Sequence, residues 1–513
     1  MTKIKRYRLA EDLVAAYAGV DVSRAVRDMM LLFGVHPATE AESFAGNSPE
    51  EGDVTVHCRI HIDGGQVTVW TRLNYRQSDG SAGRIEKEEM AVCDGEDIIT
   101  AVRRLIRLNI LRSMRTLTGC NTGPWGILHG VRPTKIIHRL LDRGFDSGQI
   151  LQSLQNDYDI DEAKAQLILE IARRQRDFLP QAADTDRKIS IYVGIPYCPS
   201  RCLYCSFPSQ VLPECHEPVE KYLAAIEKDM EEARRLISAH QLQVQCVYLG
   251  GGTPTSLNGG DFSLLLEQVK KSFVTSATQE FTVEAGRPDS LNAEKIQTLK
   301  QAGVNRVSIN PQTMQQGTLD HIGRQHTVED IVRAFHQIRS AGIPVINMDI
   351  IAGLPGETEQ DIRDTMERLK ELQPDNVTVH TLALKRGSRL MDELEQHPLP
   401  GEQTTVKMLA IAADYAKNMG MVPYYLYRQK RMAGNLENVG YCHPGAECLY
   451  NMNIMEERQT ILGIGPGAGT KAVQTGVWSL QSCYHAKDVQ SYIKNLDVYI
   501  SERARLLNGL YHG

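Results

Sequence analysis

The chain has 513 residues, 42% apolar and 23% charged, with 41 Gly and 21 Pro, so it exceeds one ordinary domain and resembles neither a disordered nor a collagen-like polymer. Against 63 Asp and Glu stand 57 Lys and Arg, a net charge of −6 that is too even for a phosphate-backbone binder or a membrane-surface protein. The basic N-terminus gives way to Leu9-Ala-Glu-Asp12, no stretch approaches a membrane span, and eleven scattered cysteines suit a reducing interior, so a cytoplasmic protein with neither nucleic acid nor membrane partners is expected.

Residues 1–180 read as an N-terminal α+β domain whose role the sequence leaves open. Val54–Ile62 and Gln66–Thr71 flank Asp63-Gly64-Gly65, a hairpin signature. Apolar residues at helical spacing follow over 96–116 and 134–178, and Leu179-Pro-Gln-Ala-Ala-Asp-Thr-Asp186 reads as a linker. From 187 the pattern changes. Short apolar strands are expected at 189–195, 246–250, 281–285, 306–310, 345–351 and 376–382, with helices at 217–240, 261–273, 293–302, 328–341 and 360–372 between them. Strict βα alternation implies an α/β domain with a parallel sheet, and six units in about 195 residues fall short of the eight of a closed barrel. An open, partial (β/α)6 barrel is therefore predicted over 187–400. Residues 401–513 should form a smaller C-terminal α/β domain that covers the substrate site, with a helix near 405–418 and mixed strands after it.

Directly after the first strand comes Ile195-Pro-Tyr-Cys198-Pro-Ser-Arg-Cys202-Leu-Tyr-Cys205-Ser-Phe207. Structural zinc wants four ligands and usually pairs two distant Cys-x-x-Cys knuckles, which are absent here. Three cysteines on one loop suit a [4Fe–4S] cluster with three irons held by thiolate and the fourth open to another ligand. The bland alternative is three small, unrelated apolar side chains.

Other unusual residues fall at strand ends: Gly250-Gly251-Gly252-Thr253, Glu284-Ala-Gly-Arg287, Asn310-Pro-Gln312, and Asn347-Met-Asp349 leading to Gly353-Leu-Pro-Gly356. In a parallel barrel those ends carry the ligands, so one site is implied. Consecutive glycines let backbone N–H groups approach an amino-acid ligand, and a carboxylate such as Glu284 accepts from ribose hydroxyls. A simple turn is the alternative for the glycines, and capping of the next helix is the alternative for Glu284 and Asp349.

The spacing of Cys198, Cys202 and Cys205 resembles that of the radical S-adenosylmethionine (SAM) enzymes. The resemblance implies that the open iron binds SAM, whose reductive cleavage yields methionine and a 5′-deoxyadenosyl radical. Tyr192-Val-Gly-Ile-Pro-Tyr-Cys198, Gly250-Gly-Gly-Thr-Pro-Thr255, Arg306-Val-Ser-Ile-Asn-Pro-Gln312, Ile322-Gly-Arg324 and Asn347-Met-Asp-Ile-Ile-Ala-Gly-Leu-Pro-Gly356 resemble the oxygen-independent coproporphyrinogen III dehydrogenases over about 189–470. Trp125-Gly-Ile-Leu-His-Gly-Val-Arg132-Pro-Thr-Lys135 and the run Pro423–Gly440 extend the similarity toward the HemZ-type branch. By that resemblance Tyr192, Gly251 and Glu284 contact the SAM on the cluster. Gly252, Thr253, Gln312, Arg324, Asp349 and Ala383 contact a second SAM. It also implies a tetrapyrrole substrate and an electron donor such as flavodoxin or ferredoxin.

The sequence departs from that family's best-characterised enzymes in two places. Phe207 stands where they carry a fourth cysteine, a cysteine that haem chaperones of the family also lack, and Asn310 stands where they carry a glycine, a position at which Asn tolerates a left-handed backbone. The expected function is oxidative decarboxylation of coproporphyrinogen III to protoporphyrinogen IX. The alternatives are a haem-binding chaperone and another radical reaction on a tetrapyrrole.

Weaker signals have bland readings beside them. Gly463-Ile-Gly465-Pro-Gly467-Ala468 satisfies a dinucleotide fingerprint formally, but a strand is expected to follow it instead of a helix, and the family places a glycine-rich segment near SAM there. Cys442, His443 and Cys448 are too few for a metal site and suit packing. Tyr424, Tyr425, Tyr427 and Arg428 either line a flat tetrapyrrole or form a core strand with a surface Arg. Arg132, Lys135, Arg386 and Arg431 are candidate carboxylate partners or solvated residues.

Overall fold

The computed structural model describes residues 4–10, 22–38, 52–76, 79–93, 96–128, 132–180, 187–207, 209–385, 387–429 and 432–511. The expected linker lies mostly outside them. The chain divides into two compact units, one of Met1–Leu169 with Gly434–Leu436 and the other of the remaining residues.

In the N-terminal unit, β1 (Arg6–Leu9), β2 (His36–Pro37), β3 (Asp53–Asp63), β4 (Gln66–Arg76) and β5 (Ala82–Val92) form a sheet in the order β2-β1-β3-β4-β5. The predicted hairpin is β3–β4: Asp63 pairs with Gln66, and the two residues between, Gly64 and Gly65, take φ of +54° and +86°, as a two-residue type I′ turn demands. Strand β5 was not expected from the sequence. Its Arg-Ile-Glu-Lys-Glu-Glu core is poor in β-formers, and pairing along the whole of β4 overrides that local preference. The predicted helix is Ile98–Thr118, capped by the Asp97 carboxylate on the Thr100 N–H at 3.0 Å and ended by Gly119 at φ +67°. Its buried Asn109 donates to the Val69 carbonyl at 2.9 Å, which ties the helix to the sheet.

In the second unit all six predicted strands form, and they neighbour one another in chain order. They are β6 (Lys188–Ile195), β9 (Gln243–Gly251), β10 (Glu280–Glu284), β11 (Arg306–Ser308), β12 (Val345–Ala352) and β13 (Asn376–Thr381), all parallel; the two-residue strands β7 (Tyr197–Cys198) and β8 (Gln210–Val211) pair separately. The five predicted crossover helices form at Glu217–Ala239, Gly259–Phe273, Ala293–Ala302, Val328–Ala341 and Glu359–Leu372. Alternation along β6 buries Ile189, Ile191, Val193 and Ile195 on one face and sets Tyr192 and Gly194 on the other, in register with Tyr248 and Gly250 of β9.

The segment after 400, expected as a smaller separate domain, instead extends this sheet. Helix Glu402–Asn418 leads to β14 (Val422–Tyr427) and β15 (Asn438–Cys442), and β15 pairs antiparallel with β13. Then β16 (Thr460–Ile464) lies parallel beside β6, followed by β17 (Gly469–Gln474) and β18 (Ser479–Tyr484). The resulting eleven-stranded sheet runs β14-β15-β13-β12-β11-β10-β9-β6-β16-β17-β18 and does not close. The unpaired flanks of β6 and β13 would each expose a row of backbone donors and acceptors, and these C-terminal strands satisfy them. Among the described residues no helix is long and apolar enough to cross a membrane.

Candidate cofactor site

The cysteine loop leaves β6 and is pinned at three places by backbone hydrogen bonds. Gly252 and Thr253 N–H groups donate to the Ile195 and Tyr197 carbonyls at 2.7 Å each, Leu203 N–H donates to the Ile322 carbonyl at 2.9 Å, and the Leu203 carbonyl accepts from Leu390 N–H at 2.9 Å. All three thiols are free. The Thr253 hydroxyl faces the Cys198 sulfur at 3.6 Å, and the Arg287 guanidinium faces that of Cys202 at 3.6 Å. Arg287 is itself held by Asp289 (3.0 and 2.8 Å) and the Ser200 hydroxyl (2.9 Å). Burial raises the Cys205 thiol pKa, and the nearby Cys202 and Cys198 thiols add to the rise.

Opposite the loop, the glycine turn and Glu284 fit together closely. Tyr248 OH donates to Glu284 Oε1 at 2.6 Å and Gly251 N–H to Oε2 at 3.3 Å. A Cβ on Gly250 would lie 2.7 Å from the Glu284 carboxyl carbon; one on Gly252 would lie 2.4 Å from the Tyr197 carbonyl oxygen. Gly251 has φ +102°, a conformation that side chains disfavour. Tyr192, Tyr248 and Tyr450 stack beside this carboxylate, with centroids 4.4 Å apart for Tyr248 and Tyr450. Burial, with repulsion from Asp349, pushes the Glu284 carboxyl up to about 7 against the lowering effect of its hydrogen bonds.

Asp349 behaves in the opposite way. Burial alone would raise it, but His380 at 3.6 Å and the Asn347 amide, which donates at 2.7 Å, outweigh that effect and hold it below the usual carboxylate range. Tyr427 OH lies 3.1 Å from the other ring nitrogen of His380. Gln312 adopts φ +69°, donates its N–H to the Asp349 carbonyl at 2.9 Å, and leaves its buried side-chain Oε1 without a partner. Buried Arg324 donates to the carbonyls of Gly286 (3.4 Å) and Asn310, interacts with Cys202 and Tyr204, and leaves Nε without a partner. Neither Glu284 nor Asp349 caps a helix: Asn292 and Thr358 hold those positions.

The predicted residues thus meet at the C-terminal ends of adjacent strands, and Ala383, two residues past the end of β13, forms an isolated bridge with Met432. Tyr248 and His380 were missed by sequence reasoning, while Arg287 and Asn347 were named only within the strand-end runs, without a role. For Tyr248 a signal existed, since it stands two residues before Gly250 and so on the same strand face. The structure bears on several weaker expectations, correcting some and agreeing with others. Left-handed backbone falls on Gln312, two residues past Asn310. Arg428 is buried, which lowers its pKa to about 9 against the pull of Glu437, so it is no surface residue. Tyr424 and Tyr425 belong to the core. Cys448 donates its thiol to Glu280 at 3.3 Å, in keeping with packing. A strand, β17, follows the 463–468 glycines, and a Cβ on Gly465 would lie 2.5 Å from the Gly194 carbonyl oxygen, so close packing explains that glycine. Arg132 and Lys135 belong to the N-terminal unit, while Arg386 and Arg431 lie outside the described residues.

Three free thiols, a turn without side chains and two orphaned buried polar atoms fit a cluster with an amino-acid nucleotide beside it. Among the described residues no three His, Cys, Asp or Glu side chains converge as a single metal ion requires. Thiolates that each bind a different iron of a cluster do not converge on one atom.

The Radical SAM superfamily profile matches residues 192–369. The chain is 39% identical over 411 residues, 80% of its length and 82% of the relative's, to the oxygen-independent coproporphyrinogen-III oxidase-like protein HemZ of Bacillus subtilis (strain 168). It is 30% identical over 296 residues, 56% of its length and 73% of the relative's, to the heme chaperone HemW of the same organism. The solved structure of coproporphyrinogen III oxidase (HemN) from Escherichia coli, a radical SAM enzyme, shares the fold at a TM-score of 0.52 and 22% identity, over 64% of this chain and 73% of that one.

Proposed function

Because the chain belongs to the radical SAM superfamily, in its oxygen-independent coproporphyrinogen-III oxidase-like branch, we propose that it is an oxidoreductase acting on the propionate side chains of coproporphyrinogen III in porphyrin and haem biosynthesis. Each propionate gives up a hydrogen atom, carbon dioxide and one electron and is left as a vinyl group; two rounds yield protoporphyrinogen IX. The observation that carries the reading is the meeting of the cysteine loop, the glycine turn and Glu284 at adjacent strand ends, in a chain 39% identical to a protein named for this oxidase.

Cys198, Cys202 and Cys205 would hold three irons of a [4Fe–4S] cluster. When bound, that cluster with SAM at its fourth iron supplies the one-electron chemistry for hydrogen abstraction. Glu284, which already accepts from Tyr248 and the Gly251 N–H, would accept hydroxyl donors beside the side-chain-free glycine turn, and Tyr192 bounds the same space. For a second SAM we assign Gly252, Thr253, Gln312, Arg324, Asp349 and Ala383. Asp349, held ionised, suits a sulfonium cation, and the unpartnered Gln312 Oε1 suits a ligand donor. A flavodoxin or ferredoxin would supply the electron that cleaves SAM, and a one-electron acceptor would take the electron released with carbon dioxide.

The test is anaerobic incubation of the reconstituted protein with coproporphyrinogen III, SAM and a reductant, followed by mass spectrometry. Loss of two carboxylates is expected; SAM cleavage with an unchanged porphyrin mass would refute the substrate. A second reading, a haem-carrying chaperone, is favoured by Phe207 in place of the fourth cysteine and by the similarity to a protein of that name. Stoichiometric haem binding without porphyrinogen turnover would establish it.

A further inference from the structure

The mouth of the cysteine loop carries two cations that no carboxylate among the described residues neutralises. Lys385, in the loop after β13 and two residues past Ala383, is half-buried, and its ammonium lies 6.0 Å from the ring centroid of Phe207. That ring is 61% exposed, an unusual placement for a large apolar side chain two residues from a cofactor ligand. Arg201, between Cys198 and Cys202, donates to the Gly387 carbonyl at 2.5 Å and so ties the two loops together. Arg201 therefore meets the backbone two residues past Lys385, and Lys385 lies over a ring two residues past Cys205, so both cations border the end of the cysteine loop. Among the described residues no Asp or Glu lies within ion-pair distance of either cation, although ion pairs are frequent elsewhere on the surface. A half-buried ammonium without a counter-ion carries a desolvation cost that an anionic ligand would offset.

We propose that Lys385, Arg201 and Phe207 form a carboxylate-binding subsite at the mouth of the cysteine loop, taking one propionate of a polycarboxylate tetrapyrrole while the pyrrole ring that bears it lies against the exposed face of Phe207. The inference rests on the tetrapyrrole reading above. Planar rings stack on an exposed phenylalanine, and paired cations discriminate an acid from its neutral derivatives. The phenyl ring at 207 thereby acquires a role that a cysteine there could not fill. The carboxylate of SAM offers the same chemistry, so the experiment separates the two sources.

Equilibrium dialysis of the reconstituted holoprotein would measure affinity for coproporphyrin III, for its tetra-amide and for SAM. The wild type should bind the acid at least about tenfold more tightly than the amide, as a charge-assisted hydrogen bond provides. Lys385→Gln should remove about tenfold of affinity for the acid, Lys385→Arg should restore most of it, and amide and SAM binding should stay constant. Equal wild-type affinities for acid and amide, unchanged acid binding in Lys385→Gln, or a loss confined to SAM would each overturn the subsite. A wild type that binds neither porphyrin would overturn the tetrapyrrole reading itself.

Discussion

The hydroxyl of Tyr248 donates to Glu284 at 2.6 Å across two adjacent strands, inside a stack of three tyrosines that shields the carboxyl from much of the solvent. This contact stabilises the ionised form of Glu284, yet burial outweighs it and the group titrates near 7. A carboxyl whose folded pKa exceeds its unfolded value near 4.5 contributes stability that is fully present below 4.5 and is lost as pH rises through 7. In the cofactor-free protein, Glu284→Gln should therefore gain on the wild type between pH 5 and pH 8, by up to about 3 kcal/mol. Thermal unfolding of both proteins at the two pH values measures it; a constant difference would contradict the assignment.

Arg287 joins Cys202 to Asp289; the Arg287 side chain is 3% exposed and that of Asp289 18%. Burial would raise Asp289, but His326 and Arg287 hold it well below the usual carboxylate range. Arg287→Met leaves that partly solvated carboxylate with a single partner and should cost about 2 kcal/mol of stability. It should also lower iron content after reconstitution, since the Cys202 sulfur loses its donor. Iron analysis alongside a denaturant titration would show both effects, and a variant with full iron and unchanged stability would refute this role.

Gly252 sits where its neighbours leave no room for a methyl group. A Cβ would approach the carbonyl oxygens of Tyr197 and Ile195 to 2.4 and 2.9 Å, both backbone atoms that cannot swing aside. Gly252→Ala should displace the start of the cysteine loop and cut cluster occupancy severalfold, as read from visible absorbance. Gly260→Ala, whose nearest neighbour would be 3.5 Å away, should retain a full cluster.

Asp229 and Arg503 form a fully buried ion pair at 2.7 Å, joined by Tyr492 OH at 2.7 Å and by the Gly465 N–H at 3.0 Å. The arrangement binds the C-terminal helix Leu496–Tyr511 to helix Glu217–Ala239 and to the turn that abuts Gly194. Arg503→Met should destabilise by about 3–5 kcal/mol because a buried charge loses its partner, and the double variant with Asp229→Leu should recover much of the loss. Denaturant midpoints of the three variants test this; additive losses would argue against coupling.

Much of this architecture was legible in the chain because its signals are local. Cys198, Cys202 and Cys205 lie within eight residues, the Gly64-Gly65 turn specifies its own hairpin, and alternating strands and helices admit few arrangements other than an open parallel sheet. Parallel order then brings Gly251, Glu284, Gln312 and Asp349 to one end of that sheet, whatever the details of packing.

What the sequence did not disclose depends on contacts between distant segments. Tyr248 reaches Glu284 across 36 residues and Arg287 reaches Cys202 across 85, and no periodicity encodes either meeting. Nor does composition reveal that β16 would lie beside β6, or that β15 would cover β13, since strand pairing is chosen by burial and by the demand of open backbone groups for partners. Composition and spacing determined which chemical groups the site owns. Tertiary packing decided their charge states, because desolvation and partner geometry exist only once remote strands have come together, which is why Glu284 and Asp349, two carboxylates of one site, titrate in opposite directions.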